Sequence, residues 1–222
     1  MIGEDNPHGR NVTSTASTPH AEVLSPGDGA RAQFDLSKYS SIGYSPGRGL
    51  LIRALWYIAS ELFFEHGLFP VRWPKVLLLK AFGARVGKGL VIKPSVRIKF
   101  PWRLTIGDHC WIGESVWIDN LANVAIGDHV CVSQGAYLCT GSHDFRSSSF
   151  DLIFRPIKIG SGVWIAARAV ILCGVTIGGN SIVTAGSVVH RNVSPGWIVS
   201  GNPARCLRKL GNDDAAPQLP ST

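Results

Sequence analysis

Charge is scarce in this sequence. Asp, Glu, Lys and Arg make up 17% of its 222 residues, a content that fits a chain rich in β structure with assembled surfaces. CxxC pairs are absent, and the five cysteines (Cys110, Cys131, Cys139, Cys173 and Cys206) are odd in number. That argues against a disulfide framework or a zinc ribbon and for a reduced, cytosolic chain. Lys and Arg form no block interleaved with aromatics, which excludes nucleic acid as an expected partner. The net charge of +7 serves solubility or an anionic partner, such as a phosphorylated molecule, an acidic polysaccharide or a membrane surface. The opening "MIGEDNPHGR" has no apolar core, so no signal peptide is expected. The apolar stretch "LLIRALWYIASELFF" (50–64) is broken by Arg53 and Glu61 and falls short of the ~20 apolar residues of a membrane span. Three readings of it stand: a buried helix, an interfacial helix lying on a membrane, and a span.

Glycine is plentiful, with 25 copies. Residues 1–43, rich in Ser, Thr, Pro, Gly and Asp, read as a disordered tail. Residues 44–84 read as a helical N-terminal cap. It opens with the turn "YSPGRG" and closes with "WPKVLLLKAFG" (73–83), where Pro74 marks a start and Gly83 a stop. Residues 85–193 are periodic. A C-terminal cap follows over 194–211, read as an extended segment and a short basic helix, and 212–222 read as a second tail.

Within 85–193 aliphatic residues recur every six positions: Val86, Ile92, Ile98; then Ile106, Ile112, Ile118; then Ile126, Val132, Leu138. Two extra residues separate these groups. After a break, Ile159, Ile165, Ile171, Ile177, Val183 and Val189 continue the series. A helix would show spacings of three and four, and an ordinary strand two. A spacing of six is the signature of a hexapeptide β-helix. The residue after the first member of each triplet is always glycine: Gly87, Gly107, Gly127, Gly160 and Gly178. One corner of every coil therefore demands glycine, for positive φ or for close backbone approach. Three hexads make a coil, and the chain holds about five. The expected fold is mainly β, a parallel β-helix with its aliphatic columns stacked inward at about 4.8 Å per coil.

Four residues beyond the aliphatics lies a second inward set, with Cys110, Val116, Val130, Ala136, Val163, Ala169 and Val175. Cys110 is thus a core residue rather than a nucleophile. The aromatics Trp111, Trp117, Tyr137 and Trp164 fall on outward positions, which points to self-association.

The series breaks at "CTGSHDFRSSSFDLIFRP" (139–156): 21 residues separate Leu138 from Ile159, where a hexad takes six. Surface loops absorb length cheaply, yet a long loop on a rigid scaffold tends to carry function. A neutral imidazole suits proton removal from a weakly nucleophilic hydroxyl, and the loop holds His143 beside Asp144.

The ordered set "IGDHCWIG", "CTGSHDF", "IGSGVWIAARAVILCGVTIG", "AGSVV" and "GNPAR" resembles the left-handed β-helix hexapeptide acyltransferases. It is most similar to the colanic acid and exopolysaccharide biosynthesis O-acetyltransferases, relatives of maltose, galactoside and nodulation acetyltransferases. The resemblance covers residues 44–210. It implies left-handed coils, a homotrimer with sites between subunits, and acetyl transfer from acetyl-CoA to a sugar hydroxyl. It also implies His143 as general base, with Asp144 either orienting the imidazole or serving the turn. Trp164 and Ala167 would line the coenzyme groove, Ala185 would offer a backbone contact, and Arg191, Arg205 and Arg208 would meet its phosphates. "WIAA" and "VVHRN" stand where the family more often has "WIGA" and "VTKD". Asp119 and Asn120 would face the acceptor, or form a polar corner. No metal is expected: His109 and His129 read as turn residues, His190 as exposed or flanking the cofactor, and the paired histidines of the related zinc carbonic anhydrases are missing. A non-catalytic trimeric scaffold is the alternative from a different class, and a metal-dependent enzyme of the carbonic-anhydrase type is a third reading that the histidine spacing disfavours. The acceptor would be a sugar or a lipid-linked glycan. A cytoplasmic location follows, at the inner face of the membrane if residues 50–64 make peripheral contact there.

Overall fold

A computed structural model describes residues 34–41, 43–65 and 72–211, with only the backbone at Arg72. The tail readings for 1–33 and 212–222 lie outside the described residues. Defined structure is present before Tyr44: Leu36–Lys38 form a 3-10 turn capped by Asp35, and the Asp35 N–H donates to the Ser148 carbonyl at 2.7 Å. Part of the stretch whose composition reads as tail is therefore structured, held by contacts with the distant loop.

Helix α1 spans Leu50–Ser60 and runs into a π-helical turn, Glu61–Glu65. One face packs on the first coil. There Trp56 and Phe64 are buried, and the Trp56 Nε1–H donates to the Ile98 carbonyl at 2.8 Å. The opposite face is exposed, so the buried-helix reading holds on one side only. Helix α2 spans Arg72–Ala81. It stops where Gly83 adopts φ 96° and the Ala84 and Gly83 N–H groups return to the Leu79 and Lys80 carbonyls. That pairing is a Schellman cap, which needs a residue that tolerates positive φ. No helix among the described residues is long and apolar enough to cross a membrane.

The coils then follow. The first holds β1 (Arg85–Val86), β2 (Val91–Ile92) and β3 (Arg97–Ile98); the second β4 (Leu104–Ile106), β5 (Trp111–Ile112) and β6 (Trp117–Asp119); the third β7 (Val124–Ile126), β8 (Cys131–Val132) and β9 (Tyr137–Cys139). The interrupting loop is a hairpin of β10 (Gly141–His143) and β11 (Leu152–Phe154). The fourth coil holds β12 (Ile157–Ile159), β13 (Trp164–Ile165) and β14 (Val170–Ile171), and the fifth β15 (Thr176–Ile177), β16 (Ile182–Val183) and β17 (Val188–Val189). Corresponding strands pair in parallel, giving three sheets: one from β1 to β15, a second from β2 through β16, a third from β3 to β17. A partial sixth turn begins at Val193, which bridges to Ile177.

Fourteen of the fifteen hexad aliphatics are buried; Val86, on the end coil, is partly so. The smaller inward set is buried too, Cys110 included, and burial pushes the Cys110 thiol pKa up. The glycine column has a single cause. None of its five members takes a positive φ. A Cβ on Gly107 would sit 2.7 Å from the Gly127 carbonyl carbon, and one on Gly178 would sit 2.6 Å from Pro195 Cδ. The left-handed backbone falls two residues later, at Gly89, His109, His129, Gly162 and Asn180. His and Asn are among the residues that accept that conformation.

The C-terminal cap is a hairpin rather than a segment with a basic helix. β18 (Trp197–Gly201) joins β16 in parallel and pairs antiparallel with β19 (Ala204–Lys209), across a cis Asn202–Pro203 bond. β16 offers an open edge, and pairing with it satisfies more backbone groups than a free helix would.

Candidate active site

The hairpin leaves the prism after β9, at the corner between the third and first sheets. Its base is tied down: Arg155 N–H donates to the Thr140 carbonyl at 3.0 Å and Ile157 N–H to the Asn123 carbonyl at 3.0 Å. Buried Thr140 accepts from Ala122 N–H and donates to the Asp119 carbonyl.

His143 closes β10. Its Nδ1 lies 3.0 Å from the Phe150 carbonyl oxygen. A carbonyl only accepts, so Nδ1 carries the hydrogen and neutral His143 keeps its lone pair on Nε2. The Phe150 ring stacks on the imidazole at 4.4 Å, Tyr39 lies against it at 5.6 Å, and Phe34 backs Phe150 at 4.4 Å. Rotation and tautomer are thus held by the loop's own carbonyl and by aromatic packing.

Asp144 does not orient the imidazole. Its carboxylate accepts from the Arg146 N–H at 3.0 Å and closes the turn. The other loop carboxylate, Asp151, accepts from Ser147 and Ser149, which hold its pKa below the ordinary value.

His143 lines a cleft of about 600 Å³ with Tyr39, Tyr44, Lys99, Asp119, Tyr137 and Cys139. Asp119 receives Lys99 Nζ at 2.9 Å and the Tyr137 hydroxyl at 3.3 Å. Burial, then Cys139 and Asp119, push the Tyr137 pKa well above the usual phenol range, so its hydroxyl stays a neutral donor. The structure thus brings Asp119 to the cleft that holds His143. Asn120 is elsewhere. It is fully buried; its Oδ1 accepts from Phe100 N–H at 2.8 Å and its Nδ2 donates to the Phe100 carbonyl at 2.7 Å. Both ends of the amide are spent on the neighbouring coil, so Asn120 is a clamp and not a contact for an acceptor.

The residues assigned to the coenzyme lie on other parts of the prism. Trp164 projects from β13, with its Nε1–H on Ser133 Oγ at 2.9 Å. Ala167 and Ala185 stack at the corner between the second and third sheets, where Gly186 N–H donates to the Ala167 carbonyl. Arg191 and Arg205 line one cavity of about 180 Å³. Arg208 faces Ile198 across the terminal hairpin, and His190, half-buried, precedes Arg191. Within one chain none of these lines the cleft of His143. His109 and His129 stack with centroids 5.4 Å apart, and no group of three or more His, Cys, Asp or Glu among the described residues is placed to hold a metal.

Sequence reasoning missed Lys99, Tyr137, Cys139, Tyr39 and Phe150. The first three were within reach. Coils of twenty residues put Lys99, Asp119 and Cys139 in one column, and Arg97, Trp117 and Tyr137 in another. Tyr39 and Phe150 belong to non-periodic chain and left no such signal.

Residues 156–191 match the family described as "Bacterial transferase hexapeptide (six repeats)", and 103–139 match "Hexapeptide repeat of succinyl-transferase". The chain is 39% identical over 176 residues to a protein of Escherichia coli provisionally named a colanic acid biosynthesis acetyltransferase, WcaF, covering 79% of this chain and 96% of that one. It is 33% identical over 141 residues to the galactoside O-acetyltransferase of Escherichia coli, across 62% of this chain and 69% of that protein. Its fold matches a hexapeptide-repeat acetyltransferase of Vibrio cholerae, solved with acetyl coenzyme A, with a TM-score of 0.66 and 32% identity, covering 73% of this chain and 88% of that one. The coils of the fold and these likenesses agree: the chain belongs to the hexapeptide-repeat acetyltransferases.

Proposed function

We propose that the protein is an acetyl-CoA-dependent O-acetyltransferase acting on a sugar hydroxyl, in the making of an exopolysaccharide. The observation that carries this reading is His143, which lines the cleft with Asp119, Lys99 and Tyr137 and has its Nδ1–H committed to the Phe150 carbonyl, so that its lone pair stays on Nε2. Nε2 takes the proton of the sugar hydroxyl as its oxygen attacks the thioester carbonyl carbon. The tetrahedral oxyanion collapses, the new C–O ester bond remains, and the C–S bond breaks. The departing thiolate recovers the proton from the imidazolium. No covalent acyl-enzyme is needed, since both substrates meet at one base. Asp119, held by Lys99 and Tyr137, would accept hydrogen bonds from acceptor hydroxyls.

The coenzyme would come from a second copy. Trp164, Ala167, Ala185, Arg191, Arg205 and Arg208 do not share a cleft with His143 in one chain, and the outer face of the second sheet carries an apolar column in register: Val91, Trp111, Cys131, Trp164 and Ile182. Trp111 and Trp164 are about half exposed. Such a face is costly to leave in water, and its burial against another subunit would set that subunit's hairpin beside the coenzyme groove. A homotrimer is the assembly this reading takes. The test is sedimentation together with acetyl-CoA titration. Wild type should sediment as a trimer and bind acetyl-CoA; Trp164→Glu should lose both. A monomer that binds acetyl-CoA at full affinity would sink the shared-site reading.

A further inference from the structure

The hairpin that carries His143 is tied to the prism at its base, and its far end meets the chain of 34–41. Phe34 stacks on Phe150 with ring centroids 4.4 Å apart, and Phe150 stacks on His143 at 4.4 Å with the planes 5° apart. One face of a ring cannot hold two rings at that distance, so Phe150 is sandwiched between Phe34 and His143. The Asp35 N–H donates to the Ser148 carbonyl at 2.7 Å, and Tyr39 lies against the imidazole at 5.6 Å. Further along, Tyr44 meets the Phe154 ring of β11 edge-on at 5.1 Å. The chain of 43–46 is then pinned to the prism. Trp102 Nε1–H donates to the Pro46 carbonyl at 2.7 Å; Arg103 donates to the Ser45 carbonyl and lies 5.3 Å over the Tyr44 ring. This stretch is a strap, fixed to a prism corner at one end and to the hairpin tip at the other.

Phe150 has φ 52°. A bulky residue rarely takes that left-handed conformation, and it persists only where the surroundings hold it. The same residue supplies the carbonyl that binds the Nδ1–H of His143 at 3.0 Å. A Phe150 relaxed to negative φ would re-aim that carbonyl away from the imidazole. The strap grips this turn twice, at the Phe150 ring and at the Ser148 carbonyl. An imidazole without its Nδ1 partner is free to change tautomer. With the hydrogen on Nε2, it has no lone pair there to take a proton.

We infer that Phe34 is a positioning residue for the general base. Through the Phe150 ring it holds the carbonyl that keeps the hydrogen on Nδ1 of His143 and the lone pair on Nε2. Phe34 does not itself line the cleft, so it acts on the base and not on the acceptor. The inference rests on the acetyl-transfer reading and deepens it: the site is incomplete without the strap.

The test pairs steady-state kinetics with NMR of the full chain carrying isotope-labelled histidine, in which the two ring nitrogens report the tautomer. Wild-type His143 should show the Nδ1–H form. Phe34→Ala should lower kcat by about tenfold, short of the ~10²–10⁴-fold of losing a general base, and leave both KM values within about twofold. Its His143 should move toward the Nε2–H form. Phe34→Tyr keeps the ring and should keep wild-type kcat and tautomer. Phe150→Gly accepts the left-handed backbone but lacks the ring; adding Phe34→Ala to it should cost nothing further, because Phe34 acts through that ring. Acetyl-CoA binding should be the same in every variant. The inference is overturned if Phe34→Ala keeps wild-type kcat or the wild-type tautomer, if Phe34→Tyr fails as badly, or if the Phe34 and Phe150 losses add. It is overturned too if acceptor KM rises or acetyl-CoA binding falls in step with kcat, since Phe34 would then shape the cleft or support the fold at large. A wild type that turns over no acceptor would sink the acetyl-transfer reading, and the tautomer comparison would still decide this one.

Discussion

Replacing Asn120 by alanine separates a structural clamp from a substrate contact. In the structure its amide makes two hydrogen bonds, both to Phe100 of the preceding coil. Phe100 is 8% exposed, so water cannot easily take the place of either bond. Truncation removes the two partners and leaves a buried N–H and a buried C=O unsatisfied, at about 1–3 kcal/mol each. Allowing for partial relaxation, the loss is about 2–4 kcal/mol. For a chain of this size each kcal/mol moves Tm by roughly 2–4 °C, so a fall of roughly 5–15 °C is expected. The assay is thermal unfolding of wild type and Asn120→Ala, paired with steady-state kinetics well below both transitions. KM for the acceptor should stay within about twofold of wild type, since far less than the ~1.4 kcal/mol of a tenfold change is at stake there. An unchanged Tm with a raised KM would refute the assignment and return Asn120 to the acceptor site.

Four further outcomes follow from the same geometry. Asp144→Ala should lower kcat by less than one order of magnitude, well below the ~10²–10⁴-fold of a general base, because its carboxylate caps a turn; a loss in that range would restore it as the imidazole's partner. Gly107→Ala should cost about 1–3 kcal/mol by overpacking, since its Cβ meets backbone at 2.7 Å, whereas Gly186→Asn, at φ 69° with open space around it, should cost less than half as much in a denaturant titration; equal losses would show that one cause serves both corners. Lys75, 1% exposed beneath Phe64, has its amine pKa lowered by burial. The unfolded chain then binds more protons between that lowered value and the ordinary 10.5, so stability rises with pH across that window. Lys75→Met should therefore outlast wild type at neutral pH, with the gap closing toward the top of the window in chemical unfolding; a gap that widens with pH would contradict the burial argument.

The prism was legible because a coil repeats its demands. Each turn needs an aliphatic at the middle of each face and a residue without Cβ at one corner, so Ile112, Val132 and Gly107 announce themselves by phase alone. The alternation also marked Cys110 as core. What does not repeat was not legible. The terminal segment pairs with β16 because an edge is open there, a fact about the fold and not about the basic residues that suggested a helix. Glycine-column chemistry was half read: close approach is the cause, and the left-handed positions sit two residues on, held by His109 and His129. In the site, the motif marked His143, but its partner is a main-chain carbonyl, which any residue supplies and no side chain advertises. Neighbouring Asp144 looked the better partner on the page and spends its charge on the turn. Asp119 and Asn120 were indistinguishable as adjacent polar residues, yet alternation sends one outward to Lys99 and Tyr137 and the other into the corner.

The most direct measurement is CoA release from acetyl-CoA across a panel of sugars and phosphate-linked glycolipids, for wild type and His143→Ala. The account predicts acceptor-dependent thiol release that falls by about two or more orders of magnitude in the variant, with acetyl-CoA still bound. Acceptor-dependent release that survives in His143→Ala would contradict it.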